Sequence, residues 1–209
     1  MTYDIIPLFS KVFYKNQLDV DVKKYVSLIE NKFENSGTNS PTDVDNIALT
    51  SSSRFVLDAQ KFVDLKNIIM KEFNNFSRDI MHFQNDFQMT TSWFTKSQKN
   101  QSSNYHNHNN CMYSGIIYLQ TDCNSGDISF ENYNDQRYRL NVNEYNIYNS
   151  KEWQFKPIDG LIIIFPSEVH HKILKNNSDI VRHSVAFNFA PVGKLGYGDS
   201  FMNVEIINE

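Results

Sequence analysis

The stretch GLIIIFPSEVHHKILKNNSDIVRHSVAFNF, residues 160–189, decides the fold. Three runs in it, GLIIIFP, HHKILK and RHSVAFNF, are rich in β-branched and aromatic residues and are separated by Pro-Ser and Asn-Asn-Ser-Asp turn signals. Runs of this composition between turn residues read as strands. Residues two apart on a strand share a face. On that parity His171 goes with Val169 and Ile173, and Arg182 goes with Ser184 and Ala186. An inward arginine on an apolar strand is costly unless an anion meets it. No acidic residue of this strand supplies one, so a bound carboxylate is a fitting partner, and Ser184 adds a hydroxyl to the same face.

Working outward, short β-rich runs continue upstream to Met89: MTTSWFT, YSGIIYLQ, GDISFEN and EYNIYNSKEWQF. Strands at this spacing predict an all-β sandwich or barrel. Before Met89 the period changes. Val22, Tyr25, Val26, Ile29 and Phe33 recur at steps of three and four, which predicts an amphipathic helix over 19–34. Residues 35–53 are polar and turn-rich and read as a loop. Phe62, Leu65, Ile69, Phe73 and Phe76 predict a longer helix over 57–83. The expectation is a mainly β fold with N-terminal helices, one domain over 1–209. Residues 1–87 form a helical part, 88–192 a jelly-roll core on which the helices pack, and 193–209 a tail.

The bulk properties narrow the function. The chain has 209 residues and a formal net charge of −4, so no overall basic field recruits nucleic acid or an anionic membrane. The longest apolar runs are too short to cross a bilayer. The N-terminus has no basic region, apolar core and cleavage site of the kind a signal peptide needs. Two cysteines without a CxxC pair fit a reducing, cytoplasmic setting without a disulfide framework.

A second stretch raises the chemistry. YHNHNNCMYSGIIYLQ, residues 105–120, places His106 and His108 two apart at the mouth of an apolar strand, in a chain with six histidines. Neutral imidazole is the commonest metal ligand. With His171 about 65 residues on, three imidazoles are candidates for one site. Cys111 is near enough to suggest zinc, but the close paired spacings of structural zinc are absent. Tyr118 and Phe130 read as core strand residues, Trp93 as a pocket wall or core residue, and Arg137 and Arg139 as solvated charges or contacts for an acidic substrate.

The ordered pattern H-x-H, SGxxYL, SGxIxF, GxLxxFPSxxxHxxxxN and RxSxAFN, over about residues 88–190, resembles the 2-oxoglutarate- and Fe(II)-dependent oxygenases, in particular a small group from bacteria and their viruses. The resemblance implies a double-stranded β-helix (jelly roll). It implies Fe(II) held by His106, His108 and His171, and 2-oxoglutarate held by Arg182 and Ser184, with Tyr118 lining that pocket. The implied reaction splits 2-oxoglutarate into succinate and CO2 while hydroxylating a substrate that no motif identifies. Superfamily members usually carry a carboxylate where this chain has His108, so either His108 is the third ligand or Asp127 in SGDISF replaces it, or the site binds metal weakly. Two other classes stay open: a cupin-like three-histidine enzyme needing no cosubstrate, and a non-catalytic jelly-roll binding module. The sequence leaves the oligomeric state open, a homodimer included.

Overall fold

The computed structural model describes residues 4–30, 32–35, 47–132 and 140–207. Arg137 and Arg139 lie outside them. The chain forms two facing β-sheets with one α-helix against the larger sheet. The strands are β1 (Tyr14–Gln17), β2 (Phe33–Asn35), β3 (Leu49–Ser51), β4 (Asp86–Ser97), β5 (Tyr113–Gln120), β6 (Ile128–Glu131), β7 (Glu152–Phe155), β8 (Leu161–Pro166), β9 (His170–Ile173), β10 (Arg182–Leu195) and β11 (Met202–Val204). The helix α1 spans Val63–Asn74. The large sheet runs β1-β8-β5-β10-β4-β3-β2, with β11 paired to β10, and the small sheet runs β7-β6-β9. The mainly β jelly-roll architecture expected from the sequence is the observed one.

Alternation along β10 builds both layers. Val185, Phe187 and Phe189 point to one side and are fully buried in a cluster with Leu65, Ile69, Phe73 and Phe76. Leu65, Ile69 and Phe73 recur every four residues, so α1 presents one apolar stripe to the sheet. The Phe73 and Phe189 rings stack with centroids 3.8 Å apart. Buried Glu72 on the same helix accepts hydrogen bonds from the Tyr14 hydroxyl (2.6 Å) and the Asn16 amide (2.8 Å), which ties β1 to α1. The other side of the large sheet sets Ile116, Tyr118, Ile163 and Phe165 against Ile128 and Phe130 of the small sheet. Between the two sheets, at one end, the apolar filling gives way to a cavity.

The N-terminal part corrects the expectation of helices alone as the ordered elements of 1–87. Instead of a helix over 19–34 there is one 3₁₀ segment, Lys23–Leu28, and then strand β2. Buried Val22 and Tyr25 satisfy the apolar step of three within that short turn. Val22 makes no side-chain cap, and pairing of β2 with β3 (Phe33 opposite Ser51) supplies backbone partners that a helix would forgo. The 35–53 loop likewise contains β3, while its residues 36–46 lie outside the described set. The second helix is regular only over 63–74 and continues as a π-helical turn, Asn75–Ile80, that keeps Phe76 inside. In EYNIYNSKEWQF only Glu152–Phe155 is strand. There the Asn146 side chain accepts from Tyr148 N–H (2.8 Å) and Asn149 from Asn146 N–H (2.8 Å), local bonds that compete with a ladder. The C-terminal tail is also partly ordered, since β10 runs to Leu195 and β11 follows.

Because Phe73 joins α1 to the sheet through a close ring stack, Phe73→Ala should cost about 3–5 kcal/mol of unfolding free energy. Urea denaturation followed by circular dichroism measures it, and a loss below about 1 kcal/mol would show that α1 is not docked as described.

Candidate metal and anion site

The site begins with a backbone contact between loop and strand. His106 N–H donates to the His171 carbonyl (3.0 Å) and His171 N–H to the His106 carbonyl (2.8 Å), an isolated antiparallel bridge. Two residues on, His108 N–H donates to the Ser167 carbonyl (3.0 Å). Ser167 is itself fixed by its hydroxyl contact with Ser114 on β5 (2.8 Å). The loop 105–110 is thus pinned to β9 at His106 and to the turn between β8 and β9 at His108, and the two histidines are two residues apart on one extended stretch.

The three imidazoles meet there. Ring centroids lie 4.4 Å apart for His106 and His171, and 5.1 Å apart for each pair with His108. One ligand atom from each falls within 4.8 Å of the others. Nitrogens bound to one ion at about 2 Å sit within about 4 Å of each other, so small ring rotations close the remainder. His106 Nδ1 lies 2.8 Å from the Asn104 carbonyl and His171 Nδ1 3.0 Å from the Val169 carbonyl. Each Nδ1 therefore carries the proton and donates it, which leaves Nε2 with its lone pair for a metal. Among the described residues this histidine cluster includes neither Asp127 nor Cys111. Trp93 stands 5.6 Å from His108, ring to ring, and lines the cavity.

Arg182 enters the same cavity from β10 and is 2% exposed. Its Nη1 donates to the carbonyls of Ser125 (2.7 Å) and Gly126 (3.2 Å). Gly126 has a positive φ of 78°, and a Cβ there would strike the Leu174 carbonyl, so this turn needs glycine to present its oxygens to the arginine. Burial disfavours the charged guanidinium, and among the described residues no carboxylate lines the cavity to offset it. Tyr118 lies opposite Ser184 on the neighbouring strand and is fully buried, and its hydroxyl has no hydrogen-bond partner among the described residues. Burial pushes that phenol up, with Arg182 acting in the other direction. A buried donor with nothing to bond, beside an arginine facing no carboxylate, fits a bound carboxylate. The Ser184 hydroxyl already bonds the Thr95 hydroxyl across to β4.

Sequence reasoning missed part of the wall. The cavity, of about 620 Å³, is also lined by Thr50, Arg54, Thr91 and Asn188. Asn188 shares parity with Arg182 and was findable on that ground. Thr50 comes from the segment read as loop and Arg54 from just beyond it, and only pairing beside β4 brings them here.

Residues 91–188 match the family described as "Putative 2OG-Fe(II) oxygenase". That match spans just under half of the chain. The fold of the chain is similar to a Pseudomonas putida prolyl-4-hydroxylase (TM-score 0.61, 13% identity, 89% of this chain and 96% of that one). It is also similar to a Trichoplax adhaerens prolyl hydroxylase in complex with a hypoxia-inducible-factor peptide fragment (0.59, 13%, 85% and 83%). A third similar structure is HygX from Streptomyces hygroscopicus with nickel, 2-oxoglutarate and hygromycin B bound (0.56, 10%, 86% and 82%). At these identities the likeness is one of fold. No curated protein matches the chain by sequence. Among the described residues no helix is long and apolar enough to cross a membrane.

Burial, reinforced by the neighbouring imidazoles, pulls His108 down to about 4 and His171 down to about 3, and burial lowers His106 as well. An unfolded histidine titrates near 6.5. Below that pH the unfolded chain takes up protons that the folded site refuses. Stability of the metal-free protein is therefore whole above pH ~6.5 and lost as pH falls, by about 2 kcal/mol at pH 5 for each of His108 and His171. Urea midpoints at pH 7.5 and 5.0 check this, and His108→Asn should make the pH dependence shallower.

Proposed function

We propose that this oxygenase holds Fe(II) with His106, His108 and His171 and binds 2-oxoglutarate through Arg182, Ser184 and Tyr118, hydroxylating a substrate with release of succinate and CO2. The observation that carries the reading is one cavity lined by three imidazoles within ligand range of one another and by a buried arginine, with the partnerless hydroxyl of buried Tyr118 in electrostatic reach of that arginine. Bound Fe(II) supplies the open coordination positions at which O2-dependent oxidation is coupled to 2-oxoglutarate breakdown.

The chain's own residues do the rest. The Asn104 and Val169 carbonyls hold His106 and His171 in the tautomer whose Nε2 faces the site. The lowered imidazole pKa values keep all three rings neutral, and so able to ligate, at neutral pH. Arg182, fixed by two carbonyls, meets the far carboxylate of 2-oxoglutarate, and Tyr118 donates its unused proton to the same oxygens. Trp93 and Phe165 wall the cavity and limit water near the oxidant. His108 in place of the usual carboxylate leaves the centre one unit more positive. A three-histidine metal enzyme without cosubstrate is the second reading, favoured by that missing carboxylate, but it leaves Arg182 and Tyr118 without a task.

Titration with Mn(II) and then 2-oxoglutarate, by calorimetry and melting temperature, separates the readings. An oxygenase responds to both ligands, a cupin-like enzyme to metal alone. Arg182→Ala should weaken 2-oxoglutarate about a hundredfold, the scale for removing one partner of a buried charge pair, and leave metal affinity nearly unchanged.

His108→Ala should lose as much metal affinity as His106→Ala, since each removes one of three ligands, and His108→Asp should restore it. If His108→Ala binds metal like the parent while His171→Ala does not, His108 is not a ligand.

A further inference from the structure

The lining of the cavity is unusual in its charge. It contains Arg54 and Arg182 and, among the described residues, no carboxylate. On the oxygenase reading, two guanidinium groups and a divalent ion face the two negative charges of 2-oxoglutarate, and with Glu34 beside Arg54 counted one positive charge is left unmatched. A ligating carboxylate would have removed it, and His108 does not.

Arg54 and Arg182 stand apart across the sheet. The Arg54 guanidinium lies beside Thr50 on β3, whereas Arg182 is on β10. Two strand spacings separate β3 from β10, about 10 Å. The strand between them, β4, carries Trp93, against His108. The Arg54 guanidinium is oriented by the Ser51 carbonyl and lies 3.5 Å from the Thr50 hydroxyl, itself a cavity residue. Among the described residues its one acidic neighbour is Glu34 at 3.4 Å, with both side chains about half exposed (42% and 54%). An exposed pair of that length is worth little and yields readily to a better anion. At the far wall Asn188 donates to the Thr91 hydroxyl (3.0 Å), adding polar groups that can orient a ligand without carrying charge.

We infer that the substrate of this oxygenase is a small anion, bearing a carboxylate or phosphate group, which Arg54 anchors on the β3 side of the cavity, two strands from Arg182. The inference rests on the oxygenase reading for the word substrate, but the anion site stands on the cavity itself. Arg54 is here a specificity residue. It fixes the charged end of the ligand and thereby sets which carbon lies beside the three histidines.

The test uses the full chain with Mn(II) and saturating 2-oxoglutarate, which fills the Arg182 end. Glycerol 3-phosphate and 3-hydroxybutyrate are the anionic probes, and glycerol is the neutral control. Calorimetry should show at least one of the anions binding and glycerol not binding. Arg54→Gln should weaken the anion tenfold or more, Arg54→Lys should retain part of the affinity, and 2-oxoglutarate should bind all three proteins within about twofold. Glu34→Gln separates anchoring from a merely structural clip. It should leave anion binding equal or tighter, whereas a clip would make it behave like Arg54→Gln. Anions that bind no better than glycerol, or that bind Arg54→Gln as they bind the parent, overturn the inference. So does a Glu34→Gln variant that loses the anion as Arg54→Gln does. A parent protein that takes up neither Mn(II) nor 2-oxoglutarate would instead strike the oxygenase reading, and the anion titration repeated on that metal-free protein would still decide the role of Arg54.

Discussion

The reciprocal hydrogen bonds between His106 and His171 are the contact on which the site depends. A metal site needs its ligands fixed before the ion arrives, and imidazoles on a free loop would lose that freedom on binding. Here the backbone carries the cost. One bridge sets the loop along β9, the carbonyl of Ser167 continues the alignment at His108, and the spacing of two along an extended chain does the rest. The side chains then need only their Nδ1 contacts to fix which nitrogen faces inward.

That bridge holds only because β9 is itself held. It pairs with β6, with Phe130 opposite His171, and the Phe130 ring packs edge-on against Phe165 of the large sheet. The large sheet in turn owes its flat apolar back to the alternation of β10. Every second residue there packs toward α1, and the residues between, Arg182, Ser184, Ala186 and Asn188, are delivered to the other side. Core and site are two faces of one strand. A register slip of one residue would bury the arginine against phenylalanines and turn Phe187 into the cavity, so the apolar face also protects the polar one.

The electrostatics follow from the same layering. Between the sheets Arg182 has carbonyl oxygens but no carboxylate among the described residues, and Tyr118 has a proton without an acceptor. Such arrangements are unfavourable in the free protein and become favourable when an anion enters. Among the described residues the histidine cluster holds no acid, so it adds no negative charge of its own. A cavity lined in this way suits an anion better than a cation.

The sequence by itself determined the elements whose pattern is local and strong. The strands from β4 to β10, the apolar stripe of α1, the inward parity of His171 and the shared face of Arg182 and Ser184 all follow from period alone. So does the pairing of His106 with His108. Only the tertiary structure decided three things. The segment 19–34 became a 3₁₀ turn and a strand, because pairing with β3 outweighed a weak helical period. Asparagine side chains broke the run before β7, because local bonds to the backbone outcompeted a ladder partner. Thr50 and Arg54 joined the cavity, because strand pairing brings together residues that are remote in the chain and carry no periodic mark of it. Periodicity reports which way a residue faces along its own element, and what it faces is settled by contacts of high sequence separation.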